Sequence, residues 1–351
     1  MSSATIEAPV GTRVASSERR LTIAGAMNEA LAQEMRRDPS VFIMGEDLAA
    51  LGGVWAHTGG LLKEFGEERV RDCPISETAF IGAAVGAANL GMRPIVELMF
   101  VDFFGVCMDP IYNLAAKSNY HSSGTMRAPM VILTAVGGGY GDASQHSQCL
   151  YATFAHLPGL KVVIPSNAYD AKGLLTAAIR DDNPVVFMFH KNLQGVGWLG
   201  TVRGAIVDVP AQPYVVPLGQ AAVVRPGRDI TLVGLGATVH HALDAAKTLS
   251  GEGIDAEVID LRSLAPLDRD TIIASARKTG RLVVVDDDYS SYGVGAEVIA
   301  TVAEACTLRA RPRRLAYPDI PIPFARPLEQ FALPSAAKLV ELVRSVMEHA
   351  G

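Results

Sequence analysis

Charge is scarce in this chain: only 19% of its 351 residues are acidic or basic, and they leave a net charge of -6. No basic cluster interleaved with aromatics occurs, which argues against nucleic acid as a partner. Cysteine is scarcer still. Cys73, Cys107, Cys149 and Cys306 are widely spaced and form no C-x-x-C pair, so they read as reduced, mostly buried thiols of an intracellular protein. No apolar run is long enough to span a membrane, since Asn89, Arg93 and Glu97 interrupt the best candidate. The first twenty residues are polar and lack a secretory apolar core. Arg13, Arg19, Arg20 and several serines hint at a mitochondrial presequence, but Glu7 and Glu18 oppose it. The expectation is a mobile tail over 1–20 in a cytoplasmic protein, with the mitochondrial matrix as second choice. No internal repeat or low-complexity tract is evident.

What the chain does have is apolar material: 49% hydrophobic residues and 33 glycines, ample core for two domains of tightly packed α/β layers. Helix and strand patterns alternate, which predicts mostly parallel sheets with helices on both faces. The first domain is expected over 21–200. The stretch 201–228 holds Pro210, Pro213, Pro217 and Pro226 and has no helical period, so it reads as an extended linker with short strands. A second domain over 229–351 opens with a strand and turn at 229–236, with later strands at 256–260 and 281–286 and a terminal amphipathic helix at 335–348.

The most informative stretch is Ile75-Ser76-Glu77-Thr78-Ala79, which sets one carboxylate at the mouth of the apolar segment Phe80 to Ala88. A lone acid at such a rim is desolvated, so its pKa should rise and it could share a proton with a bound ring nitrogen. The plain alternative is a helix start, with Ser76 or Thr78 as N-cap and Glu77 at the positive end of the helix dipole. Downstream, 93–100 reads as a buried strand leading into Val101-Asp102-Phe103-Phe104. The buried strand at 130–136 runs into Gly137-Gly138-Gly139-Tyr140-Gly141 and then Gln145-His146-Ser147-Gln148. Ligands of open α/β sheets bind at the carboxyl ends of strands. An acid, an aromatic platform, a glycine-rich loop and a histidine would thus share one rim. Other motifs are weaker. Gly234-Leu235-Gly236 lacks the third glycine of a dinucleotide fingerprint, having Val239 there. Asp286-Asp287-Asp288 reads as a solvated loop, and His240-His241 lacks the i, i+4 spacing of a metal pair.

With these motifs in order, and with Pro158-Gly159-Leu160-Lys161-Val162-Val163-Ile164-Pro165 further on, the chain from about Leu21 to about Val343 resembles a known family. It is the β subunit of the decarboxylating first component of 2-oxo acid dehydrogenase complexes, acetoin dehydrogenase β subunits included. The resemblance implies a transketolase-like pyrimidine-binding domain followed by a transketolase C-terminal-like domain, and thiamine diphosphate as cofactor. Glu77 would exchange a proton with the aminopyrimidine. Phe103 would stack on that ring, with Met99, Ile75 and Glu46 also among the cofactor contacts, though ordinary core packing is the plain alternative for Phe103. His146 would orient substrate and assist acyl transfer to a lipoyl group. Ala178, Asp181 and Asn183 match a structural potassium loop of some members.

The family holds the diphosphate and magnesium through a Gly-Asp-Gly segment, and this chain has none; Gly141-Asp142-Ala143 comes nearest. The resemblance therefore implies an α subunit that carries that motif, an α2β2 assembly, and a lipoyl-bearing acyltransferase as further partner. Pyruvate-type and acetoin-type substrates both fit, with branched-chain acids third. Phe189 stands where many relatives have an acid, and Gln194 where many have Tyr. A transketolase-like sugar transferase would share the fold and Glu77 but normally carries the diphosphate domain in the same chain. A non-catalytic scaffold paralogue is the alternative outside enzymes.

Overall fold

Continuous apolar runs become central strands, and the alanine- and glycine-rich stretches between them become helices. The computed structural model describes residues 19–348. Its larger sheet has seven strands in the order Ser263–Ala265, Lys161–Val163, Val185–His190, Val131–Val136, Arg93–Phe100, Val41–Gly45 and Val70–Asp72. All pair in parallel except Ser263–Ala265 at one edge. Val131–Val136 and Val185–His190 are buried at every residue, as strands covered on both faces must be. Helices Ile23–Arg37 and Ala168–Arg180 cover one face and Glu77–Asn89 the other. The second sheet has five strands in the order Arg313–Tyr317, Leu282–Tyr289, Ile230–Gly234, Ala256–Asp260 and Ala222–Arg225, the last antiparallel.

Several expectations change in detail. Arg19 and Arg20 are held in place: Arg19 pairs with Glu29, and Arg20–Leu21 forms a two-stranded ribbon with Val207–Asp208. The rest of the expected tail lies outside the described residues. Within 201–228, Ala222–Arg225 is an edge strand of the second sheet. The expectation of a solvated loop at Asp286-Asp287-Asp288 is wrong. All three lie inside the strand Leu282–Tyr289 and are 1%, 8% and 5% exposed. Burial first, then the charges of Asp288 and Asp287, pushes the Asp286 carboxyl well above its ordinary range. Asp287 is tolerated differently, by partners: Tyr151 donates its hydroxyl to one carboxylate oxygen at 3.0 Å and His190 meets the other at 2.8 Å.

The two sheets share one apolar cluster, to which Ile132 and Met188 of the larger sheet and Val233, Ile259 and Val284 of the smaller belong. A polar seam runs beside it. Asp260, at the end of its strand, accepts from Ser166 Oγ at 2.5 Å and from the Arg262 backbone N–H at 3.0 Å, while the Arg262 guanidinium is matched to Asp170 at 2.8 Å. Burial, and then the charge of Asp170, pushes the Asp260 carboxyl up to about 7. A second cross-contact comes from helix Arg326–Ala332. Its Glu329 is fully buried, and its two carboxylate oxygens accept the N–H groups of Gly139 and Gly141 at 2.7 and 2.9 Å. The glycine-rich loop thus forms an anion-binding nest whose occupant is the protein's own carboxylate.

Two predictions follow from these seams. An acid whose folded pKa lies above its unfolded value binds more protons when folded, so stability falls as pH rises between the two values. Asp260→Asn should therefore raise the melting temperature at pH 8, with the pKa gap bounding the gain on the order of 4 kcal/mol, and the gain should vanish by about pH 4; a variant less stable than the parent at pH 8 would refute this. Glu329→Gln sets an amide N–H against one loop N–H and should lower stability by about 2 kcal/mol. Hydrogen exchange at Gly139 and Gly141 should accelerate in that variant more than in the rest of the sheet.

Candidate active site

Glu77 is the first residue of helix Glu77–Asn89 and is half-buried. Ser76 precedes it without a side-chain cap; its hydroxyl donates instead to the Pro74 carbonyl at 2.9 Å. The helix start is pinned by Thr78, whose hydroxyl donates to the Val106 carbonyl in the turn Val101–Cys107. That turn also carries Phe103. Cys107, on the same turn, has its thiol pushed up to about 12 by burial and then by the charge of Glu77. On the neighbouring strand end, Glu46 keeps one carboxylate oxygen, Oε1, buried without a partner. Burial first, then the charges of Glu77, Asp47 and Glu97, raises the Glu46 carboxyl above its ordinary range. Glu46 and Glu77 therefore lie close enough for the charge of one to act on the other.

The aromatic side of the rim closes around His146. Its ring meets Phe100 at 4.6 Å and Phe103 at 5.2 Å, both edge-on, and Phe100 meets Phe103 at 5.4 Å. Trp55, fully buried, packs edge-on against Phe100 at 5.1 Å and donates its indole N–H to the Met99 carbonyl at 3.0 Å. Behind this layer the buried pair His57 and Glu97 approach at 2.6 Å, and Phe189 lies against both Trp55 and His57. Phe189 is thus core rather than pocket wall. Gln194 is fully buried, and its amide oxygen and nitrogen have no partner.

The structure brings Glu46, Glu77, Met99, Phe103 and His146 to the carboxyl ends of neighbouring strands and the turns that follow them. Ile75 sits beside Glu77 but is 84% exposed. Ala178, Asp181 and Asn183 lie elsewhere, at the start of strand Val185–His190, where Arg93 donates to the Ile179 and Asp181 carbonyls. The Asp181 carboxylate is already matched by Lys161 at 2.5 Å and by Asn183 at 2.9 Å. Among the described residues, no three His, Cys, Asp or Glu gather to hold a metal ion, and no helix is long and apolar enough to cross a membrane.

Sequence reasoning missed the residues that hold the His146 loop. Gln148 is tied to Asp102 through both its backbone N–H (3.2 Å) and its side-chain amide (2.9 Å), and Tyr289 of the second sheet donates to its Oε1 at 3.2 Å. Asn192 donates to the Gly138 carbonyl at 2.7 Å. Lys191 reaches Asp142 at 2.8 Å and the His146 carbonyl at 2.5 Å. The one signal in the sequence was Lys191 itself, a cation two residues past the apolar run Val185–Phe189, where burial would require pairing.

Comparison with known proteins agrees with this arrangement. Residues 19–195 match the transketolase pyrimidine-binding domain family, and residues 219–339 match the transketolase C-terminal domain family. The acetoin:2,6-dichlorophenolindophenol oxidoreductase subunit beta of Cupriavidus necator is 47% identical, over 94% of this chain and 98% of its own. The pyruvate dehydrogenase E1 component subunit beta of Rhizobium meliloti is 44% identical over 96% and 71%, and the 2-oxoisovalerate dehydrogenase subunit beta of Bacillus subtilis is 44% identical over 92% and 97%. Among solved structures, a split-gene transketolase described as an inactive beta4 tetramer superposes with a TM-score of 0.76 at 24% identity, over 94% of this chain and 99% of that one, a likeness of fold. The chain belongs to the transketolase-like family of β subunits of thiamine diphosphate-dependent 2-oxo acid and acetoin dehydrogenases.

Proposed function

We propose that this chain is the β subunit of a thiamine diphosphate-dependent dehydrogenase, completing a shared cofactor site for oxidative decarboxylation of a 2-oxo acid of the pyruvate type and acyl transfer to lipoyl. The observation that carries this is the meeting of a half-buried acid at a helix start with a ring-lined histidine on one strand-end rim, in a chain matched along nearly its whole length by such subunits. A second reading, cleavage of acetoin, is favoured by the 47% identity to an acetoin oxidoreductase subunit.

The residues present fit an aminopyrimidine: a buried, partnerless Glu46 oxygen, the Glu77 carboxylate, and the flat, half-buried Phe103 ring. When bound, thiamine diphosphate supplies a carbon nucleophile and the sink for the electrons released by bond cleavage. Glu77 holds or yields a proton at its carboxylate oxygens opposite the ring nitrogen, as general acid-base chemistry requires. Glu46 stands near it, its carboxyl raised above the ordinary range by burial and then by the charge of Glu77. Phe103 fixes the ring plane, Met99 and Ile75 add apolar contact, and the aromatic layer of Phe100 and Trp55 excludes water. His146 orients the substrate and handles the proton at acyl transfer.

The chain supplies only this half. Lacking Gly-Asp-Gly, it leaves the diphosphate and magnesium to an α subunit, in an α2β2 assembly that delivers acyl groups to a lipoyl-bearing acyltransferase. Exposed apolar side chains near Glu77 support such a covering chain: Ile75 is 84% and Val106 62% exposed. A potassium ion at Ala178, Asp181 and Asn183 would rest mainly on backbone carbonyls, since the Asp181 carboxylate is already engaged.

Glu77→Gln should abolish turnover by a factor of about 100 or more in dye-linked oxidation of pyruvate, branched-chain 2-oxo acids or acetoin, measured with an α subunit, thiamine diphosphate and magnesium. Assembly should survive, as read by gel filtration. Unchanged activity would sink the catalytic assignment and favour the scaffold alternative.

A further inference from the structure

We propose that Lys191 is the positioning residue for His146, an assignment that rests on the role given to His146 above. Lys191 follows strand Val185–His190 and its side chain is completely buried. A buried ammonium is costly unless its hydrogens are matched, and here each match falls on the loop that carries His146 or on the rings around it. Nζ donates to the His146 carbonyl at 2.5 Å and to Asp142 Oδ2 at 2.8 Å. It also lies over the faces of Phe100, at 5.4 Å, and Tyr140, at 5.5 Å. Phe100 is the ring that meets the His146 imidazole at 4.6 Å. One cation therefore grips the His146 backbone and the wall against which its side chain rests.

The segment so gripped needs a grip. Ala143, next to Asp142, adopts left-handed backbone at φ +62°, a conformation disfavoured for a residue with a Cβ and held here by its surroundings. Asp142 and His146 stand at the two ends of the turn that Lys191 spans. The cation's own position is fixed from behind, since His190 is bonded to Asp287 at 2.8 Å and accepts the Asn192 N–H at 3.1 Å. Lys191 makes no contact that would place it on substrate, so its effect passes through His146.

The test is a double-mutant cycle in the assembled α/β complex loaded with thiamine diphosphate and magnesium. The readout is kcat for acyl transfer to a lipoylated domain, with cofactor affinity measured alongside. Lys191→Met should lower kcat about tenfold to a hundredfold and leave cofactor affinity within about twofold, and Lys191→Arg should recover much of the loss. In the His146→Ala background, Lys191→Met should add nothing, because the two act as one unit. Asp142→Asn frees one end of the tether at a partly exposed residue, so it tests the same point should Lys191→Met fail to fold: a partial loss in the parent and none beside His146→Ala. Losses that multiply in the double variants, or an unchanged kcat in both single variants, overturn the proposal. If His146→Ala itself leaves transfer unchanged, the role given to His146 fails instead.

Discussion

His190 ends a central strand of the larger sheet, and Asp287 lies within a strand of the smaller one; their 2.8 Å contact crosses the seam between the two. The Asn192 N–H donates to Nδ1, so the imidazole presents Nε2–H to the carboxylate. Burial works to raise the Asp287 carboxyl, but His190 and the Tyr151 hydroxyl outweigh it and hold it below the ordinary value. The pair also dictates its neighbour. A Cβ on Gly137 would lie 2.1 Å from His190 Nε2, so the adjacent strand must leave the sheet through glycine, and at φ +96°. The glycine-rich loop begins there because a ring occupies the space a side chain would need.

From this anchored strand end the rest of the rim is hung. Lys191 and Asn192 follow His190 and reach back to the His146 loop, Glu329 caps the loop from helix Arg326–Ala332, and Tyr289, near Asp287 on the same strand, holds Gln148. Loops leaving parallel strands are ordinarily the mobile part of an α/β protein. Here side chains that follow the larger sheet, Tyr289 of the second sheet and Glu329 of helix Arg326–Ala332 take over the task that solvent would have, matching the loop's polar groups. A histidine used in proton transfer gains from this, since small displacements of a reacting group are expensive.

The fold was legible because buried strands read as short, largely apolar segments, and Arg93–Phe100 and Ala256–Asp260 match their expected bounds to the residue. Glu77 and His146 drew notice as candidates because each stands out chemically from its surroundings, and both lie beyond strand ends on one rim. Asp286, Asp287 and Asp288 misled for the same reason: three acids look like a solvated loop unless His190 and Tyr151, distant in sequence, are known to meet one of them. Glu329 was invisible likewise, and Lys191 showed only as a cation close behind an apolar run, with no hint of its partners. Their function is a tertiary pairing across the chain, and no local period or spacing encodes it.

The two sides of the rim are finished to different degrees, and the difference has a physical consequence. Around His146 the chain supplies its own walls, rings and tethers. Around Glu77 it leaves Ile75 and Val106 in water and Glu77 only half-buried. A carboxylate hydrated on one side is poorly suited to trade a proton with a ring nitrogen, because solvent stabilises its charged form. Covering those apolar side chains with a second chain would remove that water and strengthen every electrostatic contact beneath. If a partner chain supplies the diphosphate half as proposed, assembly would do more than bring that half: it would also finish the environment of Glu77, where the cofactor would be held.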